Sequence, residues 1–175
     1  TAAGSGSITV QNDLTIAANQ GLDAGEKIWL LQGSDGTPFA ISGTLTPNTA
    51  TFWYAGSNGA GNTAVTASTY QALILGGAAT TETYAAGGNL TVNEGLVILS
   101  SSGTNTFDAG SHTITFAGSG TPFIVSATEV FTPSTSTVKY TSTSGATVTA
   151  ATYNDLTIDG SGGTFDTEAS FTAGG

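Results

Sequence analysis

The chain has 175 residues, of which only 8% are charged; 12 acidic residues stand against two lysines, giving a formal net charge of -10, and there is no cysteine. So few cations exclude nucleic acid and anionic membrane surfaces as partners, because both require Lys and Arg to displace counterions. The lack of cysteine excludes disulfides and thiolate metal sites, and no run of 18 apolar residues could insert into a membrane as a helix.

Taken in order, the predicted elements are short alternating strands broken by Gly, Ser and Asn turns, with no helical periodicity. Ile8-Thr9-Val10 and Leu14-Thr15-Ile16 come first, and recur as Leu90-Thr91-Val92 and Leu96-Val97-Ile98 at an offset of 82. Leu22-Asp23-Ala24-Gly25 returns as Phe107-Asp108-Ala109-Gly110, and Gly36-Thr37-Pro38-Phe39 as Gly120-Thr121-Pro122-Phe123. The segment from Thr46 to Tyr54 matches Thr132 to Tyr140, and TAVTASTYQALILGG from Thr63 matches ATVTAATYNDLTIDG from Ala146. Tyr84 to Gly88 aligns with Phe171 to Gly175 at an offset of 87. The chain is therefore a tandem duplication, residues 1–88 and 89–175, with the insertions falling between matched blocks, as loops tolerate.

Each copy divides further into four rows of roughly 20 residues, the coil length of a β-solenoid (parallel β-helix) stacked at about 4.8 Å per coil. Two copies then give about eight coils. In this reading Leu90, Val92, Ile114, Phe116, Val138, Tyr140, Leu156 and Ile158 point inward and the intervening threonines outward. A pair of tandem immunoglobulin-like sandwiches has comparable strand spacing and is the competing architecture. Both readings are all-β.

Catalysis needs paired carboxylates of tuned acidity, or a metal beside a basic residue. No spacing here assembles either, so no enzyme and no cofactor are expected. His112, the only histidine, stands at a turn without ligand partners. Asp23 and Asp108 in the DAG blocks, and Asp155 and Asp159 around Leu156 to Ile158, are of the type that binds calcium, but no EF-hand or GGxGxD loop surrounds them. They read as turn residues. Asn89-Leu90-Thr91 fits a glycosylation sequon but falls in a strand, and neither Lys27 nor Lys139 has a lysine counterpart with which to repeat an isopeptide link. Trp29, Trp53 and Tyr54 are candidates for stacking on sugar rings, with core filling as the competing role.

The sequence of DLTI, DAG, TITF, GSGTPF, STVKY, ATVTA and TYNDLTI resembles the Thr/Gly-rich tandem repeats of large bacterial surface proteins, including adhesin stalks of the filamentous-haemagglutinin and autotransporter kind. The resemblance implies secretion to the cell surface, a repetitive β rod, and a scaffold or adhesive role. The sequence ends where a further copy of its own start would begin, which is expected either of a window in a longer array or of a subunit completed by its neighbour. In the second case Ile8, Val10, Leu14 and Ile16 form a donor strand and Phe171 and Ala173 an acceptor edge, so copies join head to tail by β-augmentation. The expected partner is the chain itself, with surface glycans as the alternative.

Overall fold

The computed structural model describes residues 4–33, 36–56, 61–77, 81–99 and 102–174. It is a parallel β-solenoid of about seven turns, without helices among the described residues. Three strand segments make a turn. The first turn is β1 (Gly6–Val10), β2 (Leu14–Ile16) and β3 (Gly21–Asp23); the second is β4 (Lys27–Leu31), β5 (Phe39–Ile41) and β6 (Thr44–Thr46). The third is β7 (Thr51–Tyr54), β8 (Asn62–Val65) and the first half of β9 (Ser68–Leu75). β9 then turns a corner into the fourth, followed by β10 (Glu82–Ala86) and the first half of β11 (Leu90–Ile98). The rest of β11, β12 (Asn105–Asp108) and β13 (Thr113–Phe116) make the fifth, and β14 (Phe123–Val125), β15 (Val130–Thr132) and β16 (Thr137–Tyr140) the sixth. The seventh is β17 (Ala146–Val148), β18 (Thr152–Tyr153) and β19 (Asp155–Ile158), after which β20 (Phe165–Thr167) and β21 (Thr172–Ala173) begin another.

Most segments pair in parallel with the one three places earlier, which gives the prism three faces; the ladder lapses between β5 and β8, β6 and β9, β14 and β17, and β15 and β18. On the first face β1, β4, β7, the second half of β9, the second half of β11 and β14 pair in series. The second carries β8, β10, β12 and β15, and the third the first halves of β9 and β11, then β13, β16 and β19. Ile8 pairs with Trp29 and Trp29 with Phe52, so these turns take 21 and then 23 residues.

From β1 to the first half of β11, the copy advances by eleven segments, or three and two-thirds turns rather than the four rows expected. Successive copies therefore start on different faces. β1 opens the first copy on the first face, β11 the second copy on the third, and β21 lies on the second face. The register also corrects one alignment. Tyr84 pairs with Thr63, and Phe165 with Ala146, the counterpart of Thr63, so the equivalent of Tyr84 is Phe165 rather than Phe171. Phe171-Thr172-Ala173 instead takes the position of Leu90-Thr91-Val92: Ala173 pairs with Tyr153 as Val92 pairs with Tyr70.

Alternation along each strand sends every second side chain inside. Leu90, Ile114, Val138 and Leu156 form one stacked column and Val92, Phe116, Tyr140 and Ile158 the next, in the predicted register. All are buried except Leu156, which is half-buried, and Ile158, which is 47% exposed because no described strand covers the last rung of that face. Aromatic rings fill the axis: Phe39 stacks on Phe52 at 5.3 Å and Phe116 on Phe123 at 5.0 Å.

Two buried hydroxyl clusters hold this core to the wall. Tyr70 donates to the Thr66 carbonyl at 2.8 Å, Tyr54 and Tyr70 lie oxygen to oxygen at 3.0 Å, and the Thr66 amide donates to Tyr54 at 3.3 Å. Since the Tyr70 proton goes to Thr66, Tyr54 donates to Tyr70, and the three groups close a ring. The Thr66 hydroxyl also donates to the Phe39 carbonyl one turn earlier. The second copy repeats the whole arrangement with Tyr140, Tyr153, Thr149 and Phe123.

Burial raises the phenol pKa of Tyr54, Tyr70 and Tyr153, and of Tyr84, where Glu82 adds to it. The folded chain thus keeps protons that the unfolded chain releases above about pH 10. Stability should hold constant up to that pH and fall beyond it by about 1.4 kcal/mol per pH unit for each retained proton. Urea titrations from pH 8 to 11.5 check this; a flat profile would refute it. Tyr70→Phe, which strands the Thr66 carbonyl, should cost about 1–2 kcal/mol at neutral pH in the same assay.

Candidate functional site

The positions singled out in the sequence fall at three places: the turns, the core and the two ends. At the turns, Asp23 accepts the Gly25 amide at 3.1 Å, and Asp108 accepts the Gly110 amide at 2.9 Å. Both glycines have positive φ, 63° and 60°, which a side chain resists. Asn48 and Ser134, themselves left-handed, reach from the next turn to the same aspartate oxygens. These carboxylates clamp corners. Among the described residues no group of three or more His, Cys, Asp or Glu side chains is gathered for a metal. His112 is half-buried where the chain enters β13, and Asn89 accepts the Thr113 amide at 2.9 Å.

The aromatic trio does not share a surface. Trp29 is 7% exposed and donates from its indole to the Ala24 carbonyl; Tyr54 is fully buried in the hydroxyl ring. Only Trp53 lies on the outside, half-buried, with its indole N–H given to the Gly76 carbonyl. The reason is the two-residue period: on β7, Phe52 and Tyr54 go in, so Trp53 goes out. The expectation of three glycan-stacking rings is corrected accordingly.

One polar group inside the prism escaped sequence reading. On the second face the inward positions of β10, the start of β12 and the residue before β15 are Glu82, Asn105 and Glu129, all buried. Thr63 donates its hydroxyl to Glu82; the Asn105 amide and the Thr128 hydroxyl donate to Glu129. Room for Glu82 comes from Gly56, where a Cβ would lie 2.6 Å from the carboxylate and 3.1 Å from the Tyr84 hydroxyl oxygen. A hydroxyl donor at Glu82, and a hydroxyl and an amide donor at Glu129, suit these carboxylates to hold the wall together. The only advance signal was that Glu82 and Glu129 fall on the inward phase of alternating segments.

At the ends, Ile8, Val10, Leu14 and Ile16 are the inward side chains of the first turn, packed against the core. Their strands already pair on one edge with β4 and β5 of the same chain, and among the described residues their other edge is open. In a parallel ladder alternate residues point both backbone groups to the same neighbour. The Val10 carbonyl and the Leu14 amide bond into the next turn, which directs Thr9 and Thr15 outward along the free edge. At the other end, the Thr172 and Gly174 amides bond back to β18, directing Ala173 outward. Phe171 is 38% exposed and meets Tyr153 edge-on at 6.0 Å. No family model, curated protein or solved structure matches the chain.

The two tryptophans separate these environments. Trp53→Ala should cost under about 1 kcal/mol and remove the fluorescence that acrylamide quenches readily, whereas Trp29→Ala should cost about 3 kcal/mol or more. Equal quenching of the two single-tryptophan variants would contradict the alternation.

Proposed function

We propose that this chain is a structural segment of an extracellular filament or surface appendage, lengthened end to end by pairing of its open solenoid edges. The observation that carries this reading is the state of the end turns. Their strands keep the three-face arrangement of the inner turns and, among the described residues, pair only with the neighbouring inner turn, so the outermost rung of each face has an open side. Ile158 and Phe171 hold inward-type positions at the last turn and remain 47% and 38% exposed. A further turn, from the same chain or from another copy, would bury these side chains and satisfy the backbone row in one step. The recurring strand pattern, Ile8-Thr9-Val10, Leu90-Thr91-Val92 and Phe171-Thr172-Ala173, supplies compatible rungs.

Composition supports a life outside the cell. With two lysines and no arginine, trypsin-like proteases have few sites, and without cysteine the fold is indifferent to redox conditions. An adhesin binding glycans through Trp29, Trp53 and Tyr54 loses two of its three rings to the core.

The test blocks an edge without removing it. Thr9→Pro with Thr15→Pro deletes two outward amide donors while leaving the bonds to β4 and β5 in place. The variant should fold as before and fail to form end-to-end assemblies under electron microscopy. Filaments of unchanged length and number would sink the proposal.

A further inference from the structure

The duplication provides an internal comparison of inside and outside. At matching positions of β4, β7 and β9 against β13, β16 and β19, the inward residues keep their character: Trp29 and Ile114, Leu31 and Phe116, Phe52 and Val138, Leu73 and Leu156. The outward residues do not. Leu30, Trp53 and Ile74 on the first face stand where the second copy has Thr115, Lys139 and Thr157 on the third. The backbone thus folds equally with a polar exterior, and its apolar exterior on the first face needs another explanation.

That exterior is continuous. Leu30, Trp53, Ile74, Val97 and Ile124 occupy adjacent rungs in one column, because the second copy contributes β11 and β14 to the same face. Ile124 is 41% exposed, and Ile28, two residues before Leu30, is 43% exposed. Beside this ridge runs a second column that begins with Ile28 and continues as the smaller Thr51, Ala72 and Gly95, and a groove of about 310 Å³ opens between these smaller residues and Ile74, Val97 and Ile124. No charged side chain stands in the ridge column itself; the one charged group lining the groove is Glu94, exposed at the corner of β11 in a chain of net charge -10.

We infer that this face is a lateral contact for a second copy of the chain, two rods lying side by side with the same polarity, the ridge of each in the groove of the other. A two-fold axis along the rods, midway between the columns, sets ridge against groove at each rung from β7 to β11; an axis across the rods would set ridge against ridge. Six rungs at about 4.8 Å across a face about 15 Å wide bury on the order of 400 Å² per copy, about half the area of a standard stable interface. A lone pair is therefore weakly held, and the contact gains strength when copies are aligned in rods. The inference is independent of how the ends join.

The absence of cysteine makes single-cysteine variants clean reporters. In the Thr9→Pro, Thr15→Pro background, which removes end-to-end addition, Ala72→Cys chains are mixed with Ile74→Cys chains and treated with a short bis-maleimide. Mixed 72–74 dimers should exceed either homodimer, and should exceed by at least about fivefold the mixed dimers from Thr113→Cys with Thr115→Cys on the polar face. Separately, Leu30→Thr, Trp53→Lys and Ile74→Thr, which install the second copy's own residues, should preserve the circular dichroism spectrum and weaken self-association in sedimentation equilibrium at least about tenfold. Equal cross-linking on the two faces, dominance of like-with-like dimers, or unchanged association of the triple variant would overturn the inference. So would retention by cellulose, chitin or phosphatidylcholine vesicles without self-cross-linking, which would assign the face to a glycan or lipid surface.

Discussion

The closed ring of Tyr54, Tyr70 and Thr66 is the interaction on which the solenoid depends, and its location explains why. Between β5 and β8 the second face loses its ladder, leaving the single bridge Gly36 to Thr63. There the Thr66 hydroxyl reaches the Phe39 carbonyl, and the two tyrosines tie Thr66 to the axis of the prism. At this lapse in backbone pairing, side-chain hydroxyls hold one turn to the next. The same lapse between β14 and β17 is again reduced to one bridge, Gly120 to Ala146, and is closed by Thr149, Tyr140 and Tyr153. A phenol suits such a position because its ring fills the aromatic axis while its single hydroxyl satisfies a backbone group that no strand can reach.

Because a copy spans three and two-thirds turns, the two clasps fall on different faces, and so does every other repeated element. A whole number of turns would place like positions above one another and give each face one exterior throughout. The fractional turn mixes strand types instead. The first face is built from the opening strands of one copy and the second strands of the other, and its outer character is set by both. Inside the prism this mixing costs little, since each inward column requires only apolar bulk at a spacing of about 4.8 Å.

The same contrast governs what the sequence made legible. Inward columns could be written down in advance, Leu90 over Ile114 over Val138 over Leu156, because alternation and a common offset suffice to place them. Which face a strand occupies could not, because corners such as the one within β9 carry no Gly or Pro to mark them. The match of Phe171 to Tyr84 failed for a related reason. AAGG and TAGG are turn sequences, and turns repeat by chemistry, whereas strand positions repeat by register. That Ile8 and Leu14 are already paired to their own chain was not visible in the sequence. For Trp53 and Tyr54, neighbours in sequence with opposite fates, the alternation contained the answer once Phe52 was taken as inward.

Ends and side therefore offer two unlike kinds of surface. An open edge combines backbone hydrogen-bonding groups with uncovered inward residues such as Ile158 and Phe171, so addition there would extend the existing core and inherit its direction. From β4 to the second half of β11 both backbone edges of the first face are paired, so its outer side offers only apolar relief, and contact there would be shallow and strengthened by repetition. Five large hydrophobic side chains are exposed among the described residues. Two belong to the last turn, Ile158 and Phe171, and two to the first face, Ile28 and Ile124. The fifth, Val130, stands alone on the second face, as single exposed hydrophobic residues commonly do. Length and width of a rod assembly would then rest on separate residues: ordering along the axis on the edges of β1, β2 and their counterparts, and registry between rods on a ridge that the polar copy shows the fold could have done without.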